Sequence, residues 1–167
     1  MGRITEAIKH LIIINVIFFA IPEMMKTEVI QSLFNYFPLY FPKNDSFGIW
    51  QYVSHMFMHG SFMHIAFNMY ALWAFGTPLE QMWGKNKFMF FYFSAGLGAG
   101  IIYTLVNYYQ FNNAFEQLIN SGMSSEKILS LMNPNLVYEN QVLQTVNSTF
   151  SYPAVGASGA VYGILVA

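Results

Sequence analysis

Three histidines and an asparagine, His55, His59, His64 and Asn68, stand in the otherwise apolar stretch SHMFMHGSFMHIAFN from Ser54 to Asn68. His55 and His59 are spaced i, i+4, which can ligate zinc when both lie on one helix. The metalloprotease pattern also needs a glutamate after the first histidine, and Met56 stands there. Gly60-Ser61 moves the helix start beyond His59, so neither a metal nor a cofactor is expected. His64 and Asn68, again i, i+4, fall inside a helical pattern and share a face. Polar groups in a spanning helix face the bundle interior or a watery cavity. They also bond helix to helix, and spacing alone leaves both roles open. A second polar group, Ser158, lies in Gly156-Ala157-Ser158-Gly159-Ala160-Val161-Tyr162-Gly163. A serine at a helix start sits beside free N–H groups that favour an anion, which suits attack on a carbonyl. Tyr162 is one turn on, on the serine's face. The G-x-S-x-G elbow is not met, because Ala160 stands where its second glycine belongs. Gly159 and Gly163 also read as a GxxxG for helix packing.

The elements that must position these groups are those of a membrane protein. Only 9% of the residues are charged and 55% are hydrophobic, with mean hydropathy +0.39; an ordinary soluble domain carries about 25% charge. Ser46 to Leu79 and Phe88 to Phe115 hold no charge at all, and each run exceeds the ~20 residues a helix needs to cross a bilayer. An all-α polytopic membrane protein follows. Net charge is -1, so no nucleic-acid partner is expected. With no cysteine, disulfides, thiolate catalysis and Cys-ligated zinc are excluded.

Segment one runs from Ile4 to Met25 and stops around Pro22-Glu23. Bulky Phe18 and Phe19 stand where a signal-peptide cleavage site needs small groups, so it is read as a retained helix. Residues 26–60, rich in Phe, Tyr and Trp and broken by Pro38 and Pro42, suit a membrane-interface loop. Segment two begins at Gly60 with Ser61 as N-cap and ends near Thr77-Pro78. After the turn Gly84-Lys85-Asn86-Lys87, segment three runs from Phe88 to about Tyr108. Its Gly96 and Gly100 form a GxxxG expected to admit another helix backbone. Residues 107–153 read as an outer polar loop with surface helices, and carry a weak sequon at Asn147-Ser148-Thr149. Segment four begins near Ala154 and covers about fourteen residues, roughly 21 Å of helix, too short to span. The expectation is three complete transmembrane helices plus the start of a fourth, in a fragment. Arg3 and Lys9 agree with Lys85 and Lys87 on a cytoplasmic side, against a weaker opposing bias from Lys26 and Lys43. Segments two and four then both enter from outside.

His59-x4-His64-x3-Asn68 followed by a Gly-x-Ser-Gly helix start resembles the rhomboid family of intramembrane serine proteases. Trp50-Gln51-Tyr52, the aromatic loop and the Gly-rich third segment fit the same pattern in order and spacing. The resemblance covers essentially the whole chain, 1–167, as one rhomboid-like transmembrane domain incomplete at its C-terminus. It is sharpest at residues 50–84 and 153–163. It implies a helical bundle hydrolysing peptide bonds of transmembrane protein substrates in the lipid bilayer. A bacterial inner membrane with a cytoplasmic N-terminus is expected. Ser158 would be the nucleophile of a Ser–His dyad, in the Gly156-to-Gly159 turn. His64, Asn68 and the Ser158 N–H would hold the oxyanion, and Tyr162 would pack against the base histidine. His59 would bond loop backbone and Trp50 would be structural; His55 matches a position of less certain role. Gln51 departs from the family's frequent arginine and is expected to change how the loop meets lipid headgroups. The base lies in a later His-x-x-Gly setting that this chain lacks: His10, His55, His59 and His64 all precede Ser158. Residues 1–167 alone are therefore expected to be inactive. The alternative is a non-catalytic rhomboid-like protein that binds client helices. A transporter normally wants intramembrane carboxylates or inverted repeats, and neither is seen.

Overall fold

The fold is a bundle of helices in a computed structural model that describes residues 4–167; Arg3, used above for orientation, lies outside the described residues. The first helix, α1, is Glu6–Met25, and two more, α4 (Phe62–Ala71) and α5 (Thr77–Trp83), are joined by a π turn at Leu72–Gly76. Helix α6 is Lys85–Asn120 and α9 is Ser158–Val166. The start of α1 has N–H groups with no intrahelical partner. Glu80 of α5 supplies the acceptor: Ala7 N and Ile8 N donate to its carboxylate at 2.9 and 3.1 Å, and the Thr5 hydroxyl donates to it as well. A carboxylate buried to 6% exposure is tolerable here because a helix N-terminus is positive. An exposed ion pair between Lys85 and Glu6 at 3.2 Å lies at the same end. Lys9, Lys85 and Lys87 thus gather at one end of the bundle, as their grouping in the sequence requires.

The first long helix ends at the expected Met25 without breaking at Pro22, and the next two segments run past the ends expected for them. Helix α1 passes through Pro22 to Met25. Segment two does not end at Thr77-Pro78 but continues to Trp83. Proline lacks an N–H and its ring collides with the carbonyl four residues back; the widened π turn just ahead of Pro78 relieves that collision, and Pro78 sits in the first turn of α5. Segment three extends twelve residues beyond Tyr108 to Asn120. Its composition turns polar there, but Phe111, Ala114 and Leu118 keep one face buried, so the helical period persists. Among the described residues, α1 and α6 are long and apolar enough to cross a membrane.

The expected loops are therefore partly helical. Residues 26–60 contain α2 (Glu28–Phe34), α3 (Gln51–Ser54) and a 3-10 turn at His55–Phe57. Of residues 107–153, the first fourteen belong to α6, and α7 (Ser125–Ser130) and α8 (Gln141–Ser151) follow. This outer part has its own core of Phe41, Phe111, Ala114, Leu118, Ile128 and Val146. Asn147 is its polar hub: fully buried, it accepts from Asn133 N at 2.8 Å and donates to the carbonyls of Asn133 and Leu136, both at 3.0 Å. The sequon asparagine is thus closed to a glycan in the folded chain.

The two GxxxG pairs take different partners. Gly96 and Gly100 of α6 do not meet another long helix; a Cβ there would meet Met56, and Tyr52 with His55. The space admits the short α3 and its 3-10 turn. Helix α9 instead brings its own Gly159 and Gly163 against Ala99 and Ala95 of α6, where added Cβ atoms would stand 2.4 and 2.5 Å from the alanine methyls. This close approach fixes the height of Ser158 against α6.

Candidate active site

The aromatic loop is folded from within by Gln51. Its side chain, fully buried, accepts from Tyr40 N at 3.1 Å and donates to Tyr36 O and Ser46 O at 3.2 and 2.7 Å. Gln51 thus keeps its hydrogen bonding but turns it inward: the amide points into the loop and its three bonds are all to loop backbone. Trp50 is half exposed and donates Nε1–H to Tyr36 O at 3.0 Å, pinning the same turn. The Ser54 hydroxyl donates to Phe37 O at 2.8 Å.

Two contacts carry this order to Ser158. Leu39 and Ala154 exchange backbone bonds of 2.9 and 2.8 Å, and Gly156 N donates to His55 O at 2.9 Å. Gly156 has φ +115°, in the region that L side chains avoid. A Cβ there would stand 2.7 Å from both Cε1 and Nε2 of His64 and 3.8 Å from Ser158 Oγ. Glycine is thus required twice, for the turn and for the imidazole that lies over it. The chain then enters α9 with Ser158 as its first residue, and no side chain caps that helix start.

Ser158 opens on a cavity of about 190 Å³ lined also by His55, Gly100, Tyr103, Val155 and Gly159. His64 stands on α4, whose N-cap is Ser61 as expected: its Oγ accepts from His64 N at 3.2 Å. Asn68, one turn along and 7% exposed, donates Nδ2–H to His64 O at 2.9 Å, leaving its other N–H free of that bond. The structure thus brings Ser158, His64 and Gly156 together, with Asn68 one turn from His64. Tyr162 is 70% exposed, one turn along α9, and Gly159 is spent on packing against Ala99. His10 is exposed near the Glu80 end and bonds Glu6 O.

Two further histidines lie close to the site. His59 was to bond loop backbone, but its two buried ring nitrogens find no hydrogen-bond partner among the described residues, and the nearby Phe57 carbonyl lacks the geometry. Its ring instead meets His64 edge-on, with centroids 5.1 Å apart. Burial first, then the neighbouring His64 charge, lowers its pKa to about 4, so His59 is neutral at pH 7. His55, whose role was open, lines the serine cavity. Its Nδ1 lies 2.7 Å from Gln51 O; a carbonyl only accepts, so Nδ1 carries the proton and Nε2 is left as an acceptor.

The arrangement places a hydroxyl, the His55 imidazole and the open start of a helix around one small cavity, with the His64 ring against Gly156 beside it, which fits acyl transfer from a carbonyl. Sequence reading missed the staple at Gln51 and the helix cap at Glu80. A signal for Glu80 was present: it is the first charge after the 34-residue uncharged run from Ser46 to Leu79, where a lone carboxylate demands a partner.

Comparison with known proteins places the chain in a family. The family profile of the Rhomboid domain matches residues 46–167. The chain is 29% identical over 118 residues to the rhomboid protease AarA of Providencia stuartii, covering 71% of this chain and 32% of that protein. Against the rhomboid protease GluP of Bacillus subtilis it is 36% identical over 52 residues, 31% of this chain and 10% of that one. Against the rhomboid protease GlpG of Serratia proteamaculans it is 46% identical over 39 residues, 23% and 14% of the two chains. The chain spans about a third or less of the length of these curated relatives. With the matched domain covering most of its residues, and with long apolar helices to carry it, the chain is an integral membrane protein and belongs to the rhomboid family.

Proposed function

We propose that this chain is the nucleophile-bearing part of an intramembrane serine endopeptidase that cleaves transmembrane protein substrates within the lipid bilayer. The observation that carries the reading is the Gly156 turn, where positive φ and the absence of a Cβ let His64 lie over the chain beside Ser158. In this mechanism Ser158 Oγ attacks the scissile carbonyl. The developing oxyanion is held by the Ser158 N–H at the uncapped start of α9, with His64 and the free N–H of Asn68. Donors already fixed in place stabilise such a charge without reorganisation. Tyr162 offers its exposed ring to the base histidine of the dyad.

That base comes from outside residues 1–167. Among the described residues Ser158 Oγ makes no hydrogen bond to a histidine; His64 is needed as a donor, His59 abuts it, His55 lines the cavity but is anchored on Gln51 O and bonds no serine, and His10 lies at the far end. A hydroxyl without an adjacent base is a poor nucleophile. Three spanning helices and the start of a fourth then form one rhomboid-like domain. Its membrane is the bacterial inner membrane, with the Lys9, Lys85 and Lys87 end in the cytoplasm and Ser158 near the outer face.

The test is cleavage of a single-pass transmembrane reporter by the whole protein in cells. Ser158→Ala is expected to abolish cleavage at unchanged protein level. Undiminished cleavage by that variant contradicts the proposal.

A further inference from the structure

A second cavity, of about 430 Å³, lies in the outer part of the chain and has no role in the chemistry above. Four segments converge on it. Phe111 and Phe115 of α6, Leu129 of α7, Met132 and Phe150 of α8 form an apolar wall, while Lys43 and Asp45 of the aromatic loop bring charges of opposite sign. Both charged side chains are exposed, and among the described residues neither forms an ion pair. Lys43 is held in place: its Nζ donates to Asn112 Oδ1 at 3.2 Å and stands 5.0 Å from the Phe111 ring centre. The wall is braced as well, with the Phe111 ring centre 5.3 Å from that of Phe115 and 6.1 Å from that of Phe150. A preformed apolar hollow with a few fixed polar groups is the make-up of a binding site.

The depth of the cavity decides what enters it. Helix α6 is mostly apolar from Phe88 to Val106, about 29 Å of helix, which matches the hydrocarbon layer. Asn107-Tyr108-Tyr109-Gln110 follows, and tyrosines collect at the interface. Phe111 and Phe115 come next, so the cavity stands at or beyond the headgroups. The acyl chains of a lipid at that level point away from it, back into the hydrocarbon, whereas a polypeptide leaving the membrane passes it. The cavity is also joined to Ser158. Asn44, between the two charged residues, donates Nδ2–H to Phe150 O at 2.8 Å, and the chain runs from Phe150 through the Leu39–Ala154 pair to the Gly156 turn. We propose that this cavity docks the substrate: it takes one large apolar or aromatic side chain, flanked by charged residues, from the part of a transmembrane substrate that lies outside the membrane. The inference rests on the protease reading above. Between Ala99, which packs on Gly159 next to Ser158, and Phe111 lies about 18 Å of helix. An extended chain crosses that in about five or six residues, so the docked side chain lies at least about five residues outward of the cleaved bond.

Binding of labelled single-pass reporters to the whole protein in detergent micelles, read by fluorescence anisotropy, tests this. Ser158→Ala prevents turnover, so the test stands apart from the protease reading. In the reporters one Trp, set between Glu and Lys, moves through an outer segment of Ser and Gly; a further reporter has no Trp. At spacings of about five residues or more beyond the transmembrane helix, Trp is expected to tighten binding about tenfold, as burial of a large apolar side chain gives. Leu129→Trp fills the cavity from a wall position that is 46% exposed. It should remove the gain and leave the Trp-free reporter bound as before. Equal binding of all the reporters by the unfilled protein overturns the proposal, and a phospholipid that Leu129→Trp displaces would then make this a lipid site. A Trp gain that survives in a folded Leu129→Trp protein overturns it too. The reporter comparison needs no substitution in the cavity, so a poorly folding variant does not remove the test. Failure of the protease reading shows instead as reporters left intact by the protein with Ser158 in place.

Discussion

Two helix starts in this molecule face opposite ways and are treated oppositely. At the start of α1, the Glu80 carboxylate accepts from Ala7 N, Ile8 N and the Thr5 hydroxyl. At the start of α9, no side chain caps the helix and no acid lies in its first turn. The same physical feature, free N–H groups at the positive end of a helix, is closed by a permanent anion in one place and left open in the other. An open end is what a transient oxyanion needs. The surroundings follow the same division. A buried charge holds the Glu80 end, whereas neutral groups hold the Ser158 end: the Gln51 amide, the Leu39–Ala154 pair and the His55 carbonyl on Gly156 N. A fixed charge beside Ser158 would compete with the one that forms in the proposed reaction.

The largest expected effect comes from closing the open end. Gly156→Ala puts a methyl 2.7 Å from the His64 ring at a backbone angle alanine avoids. Cleavage of a transmembrane reporter should fall about 100-fold or more, since displacements near 1 Å can cost that much. Near-wild-type cleavage would mean that His64 does not work from its place over Gly156.

Opening the closed end should act on stability instead. Glu80→Ala removes the acceptor of three donors, two of them N–H groups at a helix start. A loss of about 2 kcal/mol is expected, read as a lower melting temperature in detergent, with reporter cleavage retained well below that temperature. Lys85→Ala, which breaks only an exposed ion pair with Glu6 at the same end, should change stability by less than about 1 kcal/mol. Equal effects of the two variants would remove the contrast between a buried cap and a surface charge.

The packing of α9 gives a finer comparison. Gly159→Ala drives a methyl against Ala99, which cannot withdraw, whereas Gly96→Ala meets the flexible end of Met56. Overpacking of the first kind costs about 1–3 kcal/mol, and the second should cost less. Thermal unfolding of the two variants side by side checks the order.

Much of this was legible in the residues. Uncharged runs of spanning length gave the membrane class, and Ser61 gave the start of α4. The spacing of His64 and Asn68 put both on one face, and Gly-x-Ser-Gly gave the helix start at Ser158. Helix ends were not legible, for a physical reason in each case. Pro22 and Pro78 read as stops, but a long apolar helix tolerates a proline, and a π turn relieves Pro78. Tyr108 read as an end because polarity rises there, while the buried stripe of Phe111, Ala114 and Leu118 continues. Gly96 and Gly100 signalled close approach but not by what, since a glycine's own sequence holds no information on the side chain that fills the space. Gln51 was read by the cation it lacks beside the family's frequent arginine; its three bonds depend on a loop closing over residues 36–46.

The claim on which the account rests is that Ser158 is a nucleophile activated by a base from beyond residues 1–167. Labelling with a serine-directed fluorophosphonate, in membranes holding either the whole protein or residues 1–167, measures it directly. The whole protein should be labelled at Ser158 and lose the label in Ser158→Ala, while residues 1–167 should stay unlabelled. Labelling of residues 1–167 at Ser158 would contradict the account and point to His55 or His64 as the base; labelling of the whole protein that survives Ser158→Ala would remove the serine itself.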